Sequence, residues 1–138
     1  MEKMIRKIIG ATIWWTEGTR PRYDKRWGNI RINTIDVTNT NPEIIVMFLL
    51  FLRNDIKIDE NRLKLQLQIH VGDNQTEIEK YWSEITKIPK SRFNKTIIRP
   101  KGNKIGKSKG TCKVRYTDKV ALNKIIKTLD DLVLKYIK

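Results

Sequence analysis

From Arg62 to Val71 the chain alternates without a break: Leu63, Leu65, Leu67, Ile69 and Val71 fall on one side, Arg62, Lys64, Gln66, Gln68 and His70 on the other. A period of two predicts a strand buried on one face and wet on the other. The segment Ile8 to Thr19 changes period. At 100° per residue, Ile5, Ile9, Thr12 and Thr16 share one stripe and Met4, Ile8, Ala11 and Trp15 an adjacent one, an apolar or small-residue arc wider than a helix needs for a single contact. The surplus predicts burial on two sides, against the helix's own domain and against something else. Glu17 falls in the last turn, and Gly18 stands where a left-handed cap is expected.

Other segments follow the same logic. Thr19 to Asn39 reads as a hairpin bending near Asp24 to Asn29. The phase slip between Ile30, Ile32 and Ile35, Val37 predicts a bulge near Asn33 to Ile35. Asn41-Pro42-Glu43 announces a helix whose body, Ile44 to Arg53, is apolar nearly all round and so belongs deep in the core. Asp73 to Ile88 predicts a helix with Ile78, Tyr81, Trp82 and Ile85 inward, ended by Pro89. Phe93 to Arg99 and Thr111 to Tyr116 read as a hairpin across the loop Pro100 to Gly110. Asp118 caps a last helix to Lys138 with Leu122, Ile125, Ile126, Leu129, Leu132, Val133 and Tyr136 on its stripe. These elements predict one α+β domain over 1–138, and no internal repeat is visible.

Charge sharpens the picture. The chain carries 29 Lys and Arg against 15 Asp and Glu, a net +14, which points to a polyanionic partner, nucleic acid before membrane. Twelve of those cations lie between Lys87 and Lys119 against Asp118 alone. Arg20, Arg22, Lys25, Arg26 and Arg31 form a second cluster against Asp24. Mere solubility does not need that concentration. The run Ile44 to Leu52 is too short to span a bilayer, and the charged start carries no convincing signal peptide, so no membrane partner and a soluble, cytoplasmic protein are expected.

Chemistry is sparse. His70 and Cys112 are the single histidine and cysteine, which argues against zinc clusters, disulfide frameworks and Cys/His or Ser/His/Asp nucleophiles. Gly102 to Ser108 comes within one residue of a phosphate-cradling loop, but Lys109-Gly110 follows where a helix must begin, so a basic loop gripping backbone phosphate is expected instead. On the Arg62 to Val71 strand, Arg and Lys suit guanine and Gln suits adenine. The candidate DNA-binding residues are Arg20, Arg22, Arg26, Arg31, Asn33, Arg62, Lys64, Gln66, Gln68, His70, Lys95, Arg99, Lys104, Lys107, Lys109, Lys113 and Arg115.

The nine residues Gly10-Ala11-Thr12-Ile13-Trp14-Trp15-Thr16-Glu17-Gly18, followed by Thr38 to Ile45 and Ile58 to Leu63, resemble the LAGLIDADG homing endonucleases in their single-motif and stand-alone forms. The terminal acid-Gly pair and the small second and seventh positions are kept; Thr12 stands where the family usually has Gly. The resemblance implies a saddle-shaped antiparallel sheet with helices on one face, seated on duplex DNA. It also implies a homodimer meeting through Ala11, Thr12 and Thr16, and a pair of Glu17 carboxylates that, with the Gly18 corner, hold Mg2+ for phosphodiester hydrolysis. Two alternatives stand beside this endonuclease: the same fold as a catalytically inactive DNA-binding or regulatory module, and an RNA-binding basic protein using Trp and Tyr for stacking.

Overall fold

The computed structural model describes residues 1–19, 22–24, 30–100 and 109–137, with backbone alone at 22–24 and 30–31. Its elements are α1 (Lys3–Glu17), β1 (Arg22–Asp24), β2 (Ile30–Ile32), β3 (Thr34–Asn39), α2 (Pro42–Phe51), β4 (Lys64–His70), α3 (Gln75–Thr86), β5 (Ile97–Arg99), β6 (Thr111–Thr117) and α4 (Lys119–Tyr136). This is an α+β architecture. Strands β1 and β2 form an antiparallel ribbon, and the main sheet runs β3-β6-β4-β5.

Strand β6 is antiparallel to both β3 and β4, but β5 runs parallel to β4, so the sheet is mixed where an all-antiparallel one was expected. The expected hairpin between Phe93–Arg99 and Thr111–Tyr116 does not form either, because β4 lies between those two strands. Phe93 makes only an isolated parallel bridge to Leu65, and Asn94 N–H donates to the Leu65 carbonyl at 2.7 Å. Strand β4 offers two edges; the equally long β6 takes one and the three-residue β5 the other. The phase slip at Asn33 marks the point where the chain leaves the ribbon β1–β2 and enters the main sheet as β3.

Alternation decides which face is covered. Ile35 and Val37, Leu65, Leu67 and Ile69, and Cys112, Val114 and Tyr116 are all buried and join one core with the helices. Helix α2 supplies Ile45, Phe48, Leu49 and Phe51 to that core, each fully buried apolar side chain being worth about 1.5–3 kcal/mol. Its start is fixed by Asn41 Oδ1, which accepts the Glu43 N–H at 2.9 Å, with Pro42 in the first turn. A π-helical turn, Leu52–Ile56, prolongs α2 and ends at Lys57 in the left-handed region (φ 60°). It carries Asp55 to Arg6 of α1, where the guanidinium donates twice, at 2.7 and 2.9 Å.

Helix α1 packs against α2, α4 and β3. The face it buries within the chain is Gly10, Ala11 and Trp14, so that of the two stripes only Ala11 is fully covered. The reason is local shape. Gly10 has no Cβ and lets the Phe51 ring approach the backbone, and Trp14, four residues on, is carried into the core on the same side. Gly18 is not left-handed: at φ −82°, ψ 157° it is extended, and it bridges antiparallel to Val37 of β3. Helix α3 runs from Asn74, whose side chain accepts the Glu77 N–H at 3.1 Å, to the left-handed Lys87, and buries Ile78 and Trp82 as expected. Asp118 caps α4 by accepting the Ala121 N–H at 2.8 Å. No helix among the described residues is long and apolar enough to cross a membrane.

Candidate nucleic-acid interface

The same alternation that fills the core leaves the other face of the sheet polar and half-exposed. Strand register sets its side chains in rows. Asp36, Arg115 and Lys64 make one row and Thr38, Lys113 and Gln66 the next. Thr111, Gln68 and Ile97 make the third, and His70 with Arg99 closes the face. Asp36 is the one acid at these strand positions, and it is engaged: its carboxylate accepts the Thr19 hydroxyl, and its carbonyl accepts the Thr19 N–H at 3.3 Å. The field above the face is therefore dominated by Lys64, Arg99, Lys113 and Arg115. An open groove of about 510 Å³ runs between Asn61, Arg62, Lys64, Asn94, Arg115 and Thr117 at one end of it.

Several side chains on this face are already oriented. Gln66 Nε2 donates to the Lys95 carbonyl at 3.0 Å, and Arg99 Nη2 donates to Gln68 Oε1 at 3.4 Å. Thr34 and Thr117 share a hydroxyl hydrogen bond at 3.1 Å. Arg62 is committed to its own chain: it donates to the Thr117 carbonyl and to Asp118 at 3.4 Å, and its guanidinium stacks over Tyr116 at 5.3 Å. Lys109 belongs to the helical layer, 3.9 Å from Glu77 and 5.4 Å from the Tyr81 ring centroid. His70 is exposed, its Nδ1 4.0 Å from Asp73. Asn33 stands half-buried between β2 and β3, its carbonyl accepting the Asp118 N–H at 3.0 Å. Lys95 is exposed. The side chains of Arg20, Arg22, Arg26, Arg31, Lys104 and Lys107 lie outside the described residues.

The bridge from Gly18 to Val37 brings the end of α1 to the outer edge of β3, one residue from Asp36. Glu17 is exposed there, and no basic residue stands in the last turn of α1. Among the described residues no group of three His, Cys, Asp or Glu could hold a metal ion. One carboxylate and phosphate oxygens are nevertheless the donors Mg2+ ordinarily takes, with water filling its remaining positions. Glu17 supplies one such carboxylate, and any further donors would have to come from a second chain or a bound phosphate.

The interface residues expected on α1 divide. Ala11 is 0 % exposed within the chain, buried in its own core, and is not available to a second copy. Thr12 and Thr16 are exposed, and the Thr16 hydroxyl donates back to the Thr12 carbonyl at 2.9 Å. Around them Met4, Ile5, Ile8 and Trp15 are also exposed, Trp15 to 45 %. Ile8, Thr12 and Trp15 line an open groove of about 370 Å³ with Leu129, Leu132, Val133, Tyr136 and Ile137 of the end of α4. That α4 contribution was missed in the sequence, although its apolar stripe outlasts the core it has to cover. Thr38, Thr111 and Asp36 were missed as well; the alternation of Ile35, Val37 and of Cys112, Val114 assigns them to the polar face.

Cys112 takes no part in this surface: it is fully buried beneath β6, and burial pushes its thiol well above the usual range, which keeps it protonated and inert. No protein-family model, no curated protein and no solved structure matches the chain.

Proposed function

We propose that this chain binds duplex DNA on the uncovered face of its sheet and, as a symmetric dimer joined through the exposed side of α1, cleaves it in the manner of the LAGLIDADG endonucleases. The observation that carries the reading is the set of rows headed by Arg115, Lys64 and Lys113, with their one acid held by Thr19. Such a face attracts phosphates along its length and offers amide and guanidinium groups to base edges. The exposed apolar stripe of α1 supports the dimer, since a surface of Met4, Ile5, Ile8 and Trp15 gains by leaving water.

Glu17 and its counterpart on the second chain would hold Mg2+, which when bound stabilises charge on the phosphate and lowers the pKa of water. The chain's own part is to bring the two acids to the edge of the sheet, to grip the flanking phosphates with Arg115 and Lys113, and to fix the duplex in register. A second reading, tight binding without cleavage, is favoured by Trp15: a bulky side chain on the outward side of α1 holds two such helices apart and with them the two acids. Incubation of purified protein with a duplex pool and Mg2+ separates the two. Under the first reading Glu17→Gln abolishes cutting and keeps binding. Binding without cutting by the unaltered protein supports the second, and loss of both activities in Glu17→Gln shows that Glu17 is structural.

A further inference from the structure

The two glutamines on the outer face of β4 are held in opposite ways, and the difference determines what each can read. A backbone carbonyl only accepts, so the atom of Gln66 that faces Lys95 is its Nε2, at 3.0 Å. The Gln66 oxygen and one N–H are left over, a donor beside an acceptor. A guanidinium only donates, so the atom of Gln68 that faces Arg99 is its Oε1, at 3.4 Å. With one lone pair of that oxygen engaged, the guanidinium is held beside Gln68, and the pair presents mostly donors.

Resting on the duplex-binding reading above, we infer that Arg99, oriented by Gln68, selects a guanine in the major groove. Guanine is the base whose major-groove edge presents two neighbouring acceptors, O6 and N7; adenine and cytosine each present an amino donor there, which an array of donors repels. Gln68 thus spends part of its acceptor capacity within the chain, and its carbonyl steers the guanidinium. Gln66, which keeps a donor and an acceptor, suits adenine. Two residues along a strand cover about 6.6 Å, close to two base-pair rises of about 3.4 Å, so the two readings fall about two base pairs apart.

The test is selection from a duplex library with randomised positions, using the full chain, Arg99→Ala, Gln68→Ala, the double variant and Gln66→Ala, each first shown to keep the wild-type melting temperature. The expected result is that the unaltered protein prefers one guanine per half-site by roughly 5- to 150-fold. Arg99→Ala and Gln68→Ala both relax that same position, and the double variant relaxes it no further than Arg99→Ala alone. Gln66→Ala leaves the guanine and relaxes a position about two base pairs away. The inference is overturned if Arg99→Ala keeps the guanine, or if the Arg99 and Gln68 variants relax different positions while the unaltered protein still selects a sequence. An unaltered protein that binds no duplex overturns the parent reading as well, so the two failures are distinguishable.

Discussion

Gly10 sets two forces of opposite sign against each other. Inside a helix, Gly→Ala gains about 1 kcal/mol from backbone entropy, and α1 on its own would be steadied by it. A Cβ at Gly10, however, would overlap the ring and Cβ of Phe51, which is fully buried and cannot swing aside. Overpacking of that kind costs about 1–3 kcal/mol, so Gly10→Ala is expected to destabilise the protein, and a urea titration gives the sign directly. Gly18 shows how a correct residue can be chosen for a different reason. It was expected to be left-handed, but its extended backbone suits any residue. What a side chain would meet is the Trp14 carbonyl and, at 2.6 Å, the indole Cδ1. Replacement by Ala should cost about 1–3 kcal/mol by crowding. Asn, which tolerates a left-handed site, should do no better than Ala; a clear rescue by Asn would mean that the cap is left-handed after all. Sequence marks such a glycine but not its cause, because the Trp14 contact depends on which way the helix is turned.

Elements whose evidence is local were legible from sequence. The caps Asn41 and Asp118 lie within three residues of the N–H they accept, and the alternation in β4 states its own burial. Pairing between strands was not legible. Strand β5 has three residues, all exposed, with no periodicity to oppose a hairpin with β6, and only the three-dimensional position of β4 decides the matter. The link between α1 and the π-helical turn after α2 was equally hidden, since Arg6 and Asp55 are 49 residues apart. That link is asymmetric: the Asp55 side chain is 1 % exposed and the Arg6 side chain 19 %. Removing the cation strands a buried carboxylate, whereas removing the carboxylate leaves a guanidinium that can turn towards water. Arg6→Met should therefore lower the melting temperature at neutral pH more than Asp55→Asn does. Equal losses would show that Asp55 reaches solvent once Arg6 is gone.

For the molecule as a whole, total charge was an incomplete guide to where charge acts. The cations between Lys87 and Lys119 divide between layers: Lys113, Arg115 and Arg99 stand on the polar face, whereas Lys109 turns to α3 and Arg92 to Glu60. With Arg99 assigned to a base and Arg62 tied to Asp118, the described residues that remain for phosphates are Lys64, Lys95, Lys113 and Arg115. Four contacts on one protomer become eight on a dimer. Release of counterions at about 0.9 per contact then gives a slope of about −7 for log K against log salt when two chains bind together, and about −4 when one binds alone. The slope thus reports stoichiometry as well as electrostatics. Ile8→Glu places a charge in the exposed stripe of α1, where two copies would meet, without touching the polar face or the core. It should move the slope from about −7 to about −4 and the sedimenting species from dimer to monomer, with the melting temperature little changed. A slope near −7 that persists in a monomeric Ile8→Glu protein would place the missing contacts in the basic segments 20–31 and 101–108 of one chain, and the pairing of α1 helices would lose its role in binding.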